Sequence, residues 1–251
     1  MPTSRRANTR RKPAPRSVHK KPSVQGAGME RRASASAAKM SSARLAGAAK
    51  KIARALIGAY PDARCMLDHT GAFQLLVATI LAAQCTDERV NMVTPALFKR
   101  FPNAVAMAEA ELEELESLIR STGFFHNKAK SIKGASAVLA KNCPGSFPHL
   151  MEDLVSLPGV GRKTANVVLG ECFGVPAIIV DTHFRRVIQR LGLTENDDPD
   201  RIEEDIAELL PQKDWTAFSH AITFHGRKCC TAREPNHADC PVRELCPSRD
   251  L

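Results

Sequence analysis

The chain is 251 residues long, carries 36 Lys and Arg against 27 Asp and Glu for a formal net charge of +9, and is only 5% aromatic. Such a length supplies a core for one large domain or two small ones. No apolar run reaches membrane-spanning length and the first residues hold no apolar signal block, which argues against membrane and secreted classes and for a soluble intracellular protein.

Residues 1–42 hold eleven of the 36 basic side chains and a single acid, Glu30, so that 25 basic residues face 26 acidic ones beyond them. The excess charge therefore belongs to this tail. Its Pro, Ser and Ala content offers little to bury, so a disordered basic tail is expected, able to neutralise phosphates without reading sequence. A merely solvated tail, a start at Met29 or Met40, and an Arg- and Ser-rich organelle transit segment stand as alternatives.

From residue 43 the apolar residues recur at helical spacing nearly throughout. RLAGAAKKIARALIGAY sets Leu45, Ile52, Leu56 and Ala59 along one face, and AFQLLVATILAAQ is apolar almost all round, as a central buried helix would be. ELEELESLIRS, KAKSIKGASAVLAKN, TANVVLGECFG, THFRRVIQRLG, DRIEEDIAELL and DWTAFSHAITFHG follow at short intervals, punctuated by Gly, Pro, Asn and Asp. The one strand-like run, PAIIV before Asp181, has no second run to pair with and reads as a buried connector. The expected fold class is all-α. Of the eight cysteines, Cys65, Cys85, Cys143 and Cys172 stand singly and read as buried free thiols. Cys229, Cys230, Cys240 and Cys246 crowd the end, which in an intracellular chain suggests metal ligation before disulfides.

The stretch LPGVGRKTAN, residues 157–166, places two glycines before a lysine–threonine pair. It is not a P-loop, because Leu157 stands where the first glycine would be and Arg162 precedes Lys163. Within LVSLPGVGRKTANVVL it reads instead as helix, tight turn, helix. Gly159 and Gly161 allow positive φ and close approach, while Val160, with Leu157, Val167 and Val168, pins the two helices. The unpaired amides near Arg162–Thr164 then face outward with the positive end of the helix dipole, a grip for phosphate that ignores base identity. An ordinary helix–helix corner is the bland alternative. Eighteen residues after Lys163 stands Asp181, by itself readable as the N-cap of THFRRV.

Together LPGVGRKTANVVL, VDTHFRRV, ILAAQCTDERVN, TGFFHNKAKSI and the cysteine-rich end resemble the endonuclease III branch of the helix-hairpin-helix DNA glycosylases, from about residue 43 to about 248. The resemblance implies an all-α fold of two helical domains with a DNA-binding cleft between them. One is a six-helix domain at 65–175 that carries the hairpin. The other, from 43–64 and 176–251, bears an iron–sulfur cluster. It implies a monomer, with no membrane partner, acting on double-stranded DNA that contains oxidised pyrimidines or abasic sites. Its activity would be that of a DNA glycosylase and abasic-site lyase of base excision repair, at the nucleoid in the cytoplasm of a bacterium or in the nucleus or mitochondrion of a eukaryote.

In that reading Lys163 displaces the damaged base at C1′, forms a Schiff base and lets β-elimination cut the strand. The amine must be uncharged to attack, and partial burial beside a helix N-terminus favours that form. Asp181 takes the lysine's proton or stabilises charge on the sugar. Gln84 fills the gap left by the flipped base, Phe124 is the wedge where the family often has leucine, and Asp87 lines the lesion pocket. Gly159, Val160, Gly161 and Arg162 hold the DNA backbone. Arg233, with Arg227 and Lys228 nearby, meets phosphates from the metal loop, and Arg185, Arg186 and Lys128 are further candidates for a basic face.

The family closes on C-x6-C-x2-C-x5-C, which holds a [4Fe-4S] cluster. Here CCTAREPNHADCPVRELC puts Cys230, Cys240 and Cys246 at the first, third and fourth positions and His237 at the second. His237 can complete a cluster, as histidine does in some iron–sulfur centres. Alternatively Cys229 takes its place, or three cysteines and the histidine hold zinc. The unchanged loop length favours the cluster with His237. Within the fold, the branch that removes adenine from mismatches usually lacks the hairpin lysine, which is present here, and adds a further domain. A rival of another class is a non-catalytic helix-hairpin-helix DNA-binding protein.

Overall fold

A computed structural model describes the backbone of residues 24–249 and the side chains from residue 42 to 249. The disordered tail expected at 1–42 lies outside the described residues as far as position 23, and from Val24 the backbone is helical. In chain order the helices are α1 (Val24–Ala59), α2 (Ala72–Leu81), α3 (Asp87–Arg100), α4 (Ala104–Glu109), α5 (Leu112–Ile119), α6 (Phe125–Asn142), α7 (Met151–Val155), α8 (Arg162–Phe173), α9 (Thr182–Arg190), α10 (Pro199–Leu209) and α11 (Trp215–Lys228). Among the described residues there is no strand, so the chain is all-α.

Local chemistry sets the boundaries. Thr86 caps α3 by accepting from the Arg89 amide at 3.2 Å, and Asp198 caps α10, whose first residue is Pro199. Gly174, at φ 64, ends α8 in the left-handed conformation.

Residues from Arg44 onward form one compact unit. Within it lie two clusters of buried apolar side chains. The first gathers Leu75, Leu81, Leu97, Met107, Ile132 and Val168 from α2, α3, α4, α6 and α8 with their neighbours. The second gathers Ile52, Leu56, Phe184, Ile206, Phe218 and Ile222 from α1, α9, α10 and α11. Helix α2 is buried from Leu75 through Leu81 without a break, as its apolar circumference demands. The buried stripe of α1 ends at Leu56, because Ala59 is exposed. Cys65, Cys85, Cys143 and Cys172 are half-buried rather than buried; the first two and Cys172 sit at the margin of the first cluster.

The PAIIV run is a buried connector. Ala177, Ile178, Ile179 and Val180 are each no more than 8% exposed. The segment is extended, so successive side chains point to opposite sides. Ile179 joins the first cluster, while Ile178 and Val180 join the second. An extended buried backbone needs hydrogen-bond partners that no neighbouring strand supplies. Side chains of the flanking helices provide them. The Ala177 amide donates to Thr216 Oγ1 at 3.1 Å, the Ile179 amide to Ser219 Oγ at 3.0 Å, and Asn166 Nδ2 donates to the Ile178 carbonyl at 2.9 Å.

The hairpin runs from α7 through residues 156–161 into α8. Leu157 and Val160 are buried in the first cluster. Gly159 has φ +76, and a Cβ there would come within 2.4 Å of Ser131 Cβ on α6. Both the left-handed backbone and the close approach of α6 demand glycine. Gly161 differs from expectation: its φ of −97 is open to any residue, and a Cβ there would meet nothing within 4 Å. It serves by leaving the start of α8 bare, for no side chain caps that N-terminus.

Ser219→Ala should lower unfolding free energy by about 1–3 kcal/mol, the cost of orphaning a buried amide, in denaturant titrations followed by circular dichroism. Gly159→Ala should cost about 1–2 kcal/mol from the left-handed backbone alone, and more from the collision with Ser131. Gly161→Ala should stay within about 0.5 kcal/mol of wild type in the same titration; equal losses at the two glycines would contradict this packing.

Candidate functional site

Lys163 is the second residue of α8 and is exposed. The partial burial expected of it is therefore absent in the free chain, because the first turn of α8 stands clear of the core, which takes up side chains only from Ala165 onward. Asp181, half-buried, is the N-cap of α9. Its Oδ1 accepts from the Phe184 amide at 2.7 Å and from Thr223 Oγ1 of α11 at 3.4 Å. Among the described residues its second oxygen has no hydrogen-bond partner, so a lone carboxylate oxygen remains to act on whatever enters.

Lys163 and Asp181 line two adjoining cavities in common. The open one, of ≈500 Å³, also takes in Gln84, His183 and Arg185. The narrower one, of ≈80 Å³, runs back between α2, α8 and α11 to Cys65, Thr79, His220 and Thr223. Asp87 and Arg227 border both cavities and pair across them at 2.9 Å. At the inner end, His220 Nε2 lies 2.5 Å from Glu171 Oε1. That contact is the main reason the Glu171 carboxyl is held below its ordinary pKa, against the opposing effect of burial. Thr223, His220 and Glu171 carry no motif that points here, since only the packing of α11 on α8 and α9 brings them to the site.

Gln84 and Phe124 share an uncommon backbone. Among the described residues they are the only non-glycine residues at positive φ, 54° and 47°. Both are exposed, Phe124 by 65%, and both line a cavity of ≈260 Å³ together with Gly159 and Thr164 of the hairpin. Left-handed non-glycine backbone costs of order 1–3 kcal/mol and survives where the surroundings fix it. Lys128 supplies that fixing. Its buried Nζ donates to the carbonyls of Leu81 and Thr122, each at 2.8 Å, just before the two strained residues. Burial pushes the pKa of this amine below the ordinary lysine value.

Lys128 is therefore no part of a basic face, contrary to expectation, because its charge is spent on two internal carbonyls. Arg186 departs from the expectation for the same reason: it is half-buried and donates to the carbonyls of Gly226 and Cys230 at 2.7 and 3.0 Å. The Arg162 guanidinium is a fork on Glu203 of α10, at 2.6 and 3.1 Å, and the Glu203 hydrogen bond raises its pKa. Arg185 is exposed and only loosely held, at 3.4 Å from the Asp197 carbonyl. Arg233 is exposed, and Lys228 lies over the Phe224 ring at 4.5 Å.

At the end of α11, Cys229, Cys230, His237, Cys240 and Cys246 all line one cavity with His225. Ligand atoms of His225, Cys229 and Cys240 lie within 4.8 Å of one another, a set that could hold a metal ion. Arg190 braces the loop by donating to Cys230 Sγ at 3.3 Å and to the carbonyls of Thr231 and Ala232 at 2.6 and 2.9 Å.

The family model of the HhH-GPD superfamily of base excision DNA repair proteins matches residues 77–212. The endonuclease III of Synechocystis sp. is 56% identical over 190 residues, which are 75% of this chain and 87% of that protein. That of Bacillus subtilis is 44% identical over 188 residues, covering 74% and 86%. Among solved structures, a trapped covalent intermediate of endonuclease III with DNA superposes with a TM-score of 0.76 at 40% identity, over 80% of this chain and 96% of that one. A helical hairpin with a bare α8 N-terminus, a lysine and a carboxylate on shared cavities, and this level of identity lead to one conclusion: the chain belongs to the endonuclease III family of base excision DNA repair proteins.

Proposed function

We propose that the chain is a bifunctional DNA glycosylase and abasic-site lyase, removing oxidised pyrimidines from duplex DNA through Lys163 with Asp181 as its partner. The observation that carries this reading is that an exposed amine and a carboxylate with one uncommitted oxygen line the same two cavities. The two exposed residues on strained backbone, Gln84 and Phe124, support it from the neighbouring concavity.

The duplex lies along the line where the two apolar clusters meet, which we read as two domains, residues 65–175 and residues 43–64 with 176–251. The bare amides of α8 grip a phosphate, with Gly159 and Val160 holding the turn and Gly161 leaving room. Arg162 contributes its backbone there, its side chain being engaged with Glu203. Flipping a base out costs a few kcal/mol of stacking and pairing. Gln84 and Phe124 enter the vacated space, already ordered, so little further entropy is lost. The extruded base enters the narrow cavity past Asp87 and Arg227, which leaves C1′ of its sugar at Lys163.

The lysine's lone pair then bonds to C1′ as the bond from C1′ to the base breaks, and the electron pair leaves with the base. The proton shed by the ammonium formed at Nζ passes to the free carboxylate oxygen of Asp181. The nitrogen lone pair then forms the Schiff base as the C1′–O4′ bond breaks, O4′ taking up the proton held by Asp181, and loss of a C2′ proton expels the 3′ phosphate. Asp181 also faces the positive charge that grows on the sugar.

The C-terminal cavity fits a [4Fe-4S] cluster in its donors, for four thiols line it and such clusters are held by thiolates. Cys230, Cys240 and Cys246 supply three of them, and the fourth ligand is His237 or Cys229. A cluster bound there would cross-link the loop after α11 and so present the exposed Arg233 to phosphate. Zinc is the second reading, favoured by the compactness of the His225–Cys229–Cys240 set.

Two variants test the chemistry. On a duplex with an abasic site, borohydride should trap a covalent adduct with wild type and none with Lys163→Ala. An undiminished adduct in that variant, or none with wild type, would instead mark a docking protein. Asp181→Asn should melt close to wild type, since asparagine caps a helix as well as aspartate. Its single-turnover excision of thymine glycol should nevertheless slow by about 10²–10⁴-fold. Full excision by this variant would reduce Asp181 to a cap.

A further inference from the structure

We propose that the thiolate of Cys229, and not the imidazole of His237, is the fourth ligand of the C-terminal metal centre, beside Cys230, Cys240 and Cys246. The proposal rests on the metal-centre reading above and assigns the donor that the reading leaves open.

The donor count favours it first. Iron–sulfur clusters are ordinarily held by cysteine thiolates. This chain lacks a cysteine at position 237 but has one at 229, so the cavity is still lined by four thiols.

The backbone then shows how position 229 comes to serve. The amides of Cys229 and Cys230 both donate to the His225 carbonyl, each at 2.8 Å, which turns the two adjacent cysteines in at the end of α11. The Asn236 amide donates back to the Cys229 carbonyl at 2.9 Å, and Cys229 Sγ donates to the Asn236 carbonyl at 3.2 Å. Loop residues 230–235 thus close on Cys229, and its sulfur lies against the peptide that enters residue 237. Cys229 is also buried, at 8% exposure, whereas the other three cysteines and His237 are half-buried.

Neither imidazole competes on the same terms. Cys229 shares a compact set with His225 and Cys240, whereas His237 lines the cavity outside that set, as Cys230 and Cys246 do. His225 is within that set, yet its ring is held in a chain of hydrogen bonds. The Tyr60 hydroxyl lies 3.0 Å from Nδ1, and Nε2 lies 3.8 Å from Cys240 Sγ. With Tyr60 donating to Nδ1, the ring proton sits on Nε2 and points at a ligand sulfur. That is the position of a group that tunes and orients a ligand rather than one that binds metal.

The test uses full-length wild type, Cys229→Ser, His237→Ala and the double variant Cys229→Ser with His237→Cys, purified without oxygen. Iron, sulfide and zinc per chain, the visible spectrum, helical content by circular dichroism, and pulsed paramagnetic resonance are measured. Wild type should carry iron and sulfide. Cys229→Ser should lose most of both, His237→Ala should keep them, and the double variant, which restores the family's spacing, should recover them. Once the wild-type cluster has been made paramagnetic by one-electron reduction with dithionite or oxidation with ferricyanide, its resonance should be visible and show no coupling to a directly bonded nitrogen.

Loss in His237→Ala with retention in Cys229→Ser, or a strong nitrogen coupling, would overturn the proposal and leave the cluster reading standing. Zinc in place of iron would overturn the cluster reading, with the same variants still deciding the ligand. Wild type free of both metals would overturn both. If Cys229→Ser does not fold, the double variant decides: recovery of fold and metal supports the proposal, and failure to recover contradicts it.

Discussion

The side-chain amide of Asn166 sets the distance on which the site depends. It is buried, and its nitrogen donates both to the Ile178 carbonyl at 2.9 Å and to Glu203 at 3.1 Å. Asn166 lies one helical turn beyond Lys163, and Ile178 lies three residues before Asp181. A single amide therefore fixes the helix bearing the amine to the extended segment bearing the carboxylate. Through Glu203 it also reaches Arg162, so that α8, α10 and the connector share one polar knot. An unpaired buried amide or carbonyl there would be costly, which makes the spacing stiff rather than adjustable.

The connector owes its buried position to the same arrangement. Residues 177–180 send alternate side chains into two different apolar clusters while helix side chains meet their backbone groups. Asp181 follows immediately, at the point where the chain leaves the interior and α9 begins. Its role as cap fixes one carboxylate oxygen and leaves the other facing the cavity. Lys128 does comparable work on the opposite side, where its buried ammonium holds the ends of two loops and keeps Gln84 and Phe124 in conformations they would not adopt alone. Order is thus established before DNA arrives, and binding energy is left for extruding the base.

Much of this was legible in the sequence. Helical periodicity and the turn residues fixed the all-α class, and LPGVGRKTAN carried the hairpin. Asp181 was readable as a cap because a carboxylate directly before THFRRV has few other local uses. Phe124, which apolar character alone would place in a core, is exposed, and only its place in TGFFHN pointed outward. What could not be read was tertiary. A lysine such as Lys128 or an arginine such as Arg186 looks like a solvated charge until the carbonyls it meets are known, and those lie as much as 47 and 44 residues away. Thr223 and His220 reach the site only through the packing of α11. Gly161 misled because two glycines of one turn, here separated by Val160, need not share a conformation, and only Gly159 takes the left-handed one.

In the proposed reading, the amine of Lys163 meets the sugar of an extruded nucleotide while Gln84 and Phe124 occupy the helix behind it. A crystal structure of the borohydride-reduced complex with an abasic-site duplex tests this most directly. A bond from Lys163 Nζ to C1′, with both side chains inside the base stack and Asp181 against the sugar, is the predicted result. A bond from C1′ to any other nitrogen, or Lys163 turned to solvent with the helix unbroken at Gln84 and Phe124, would contradict the account.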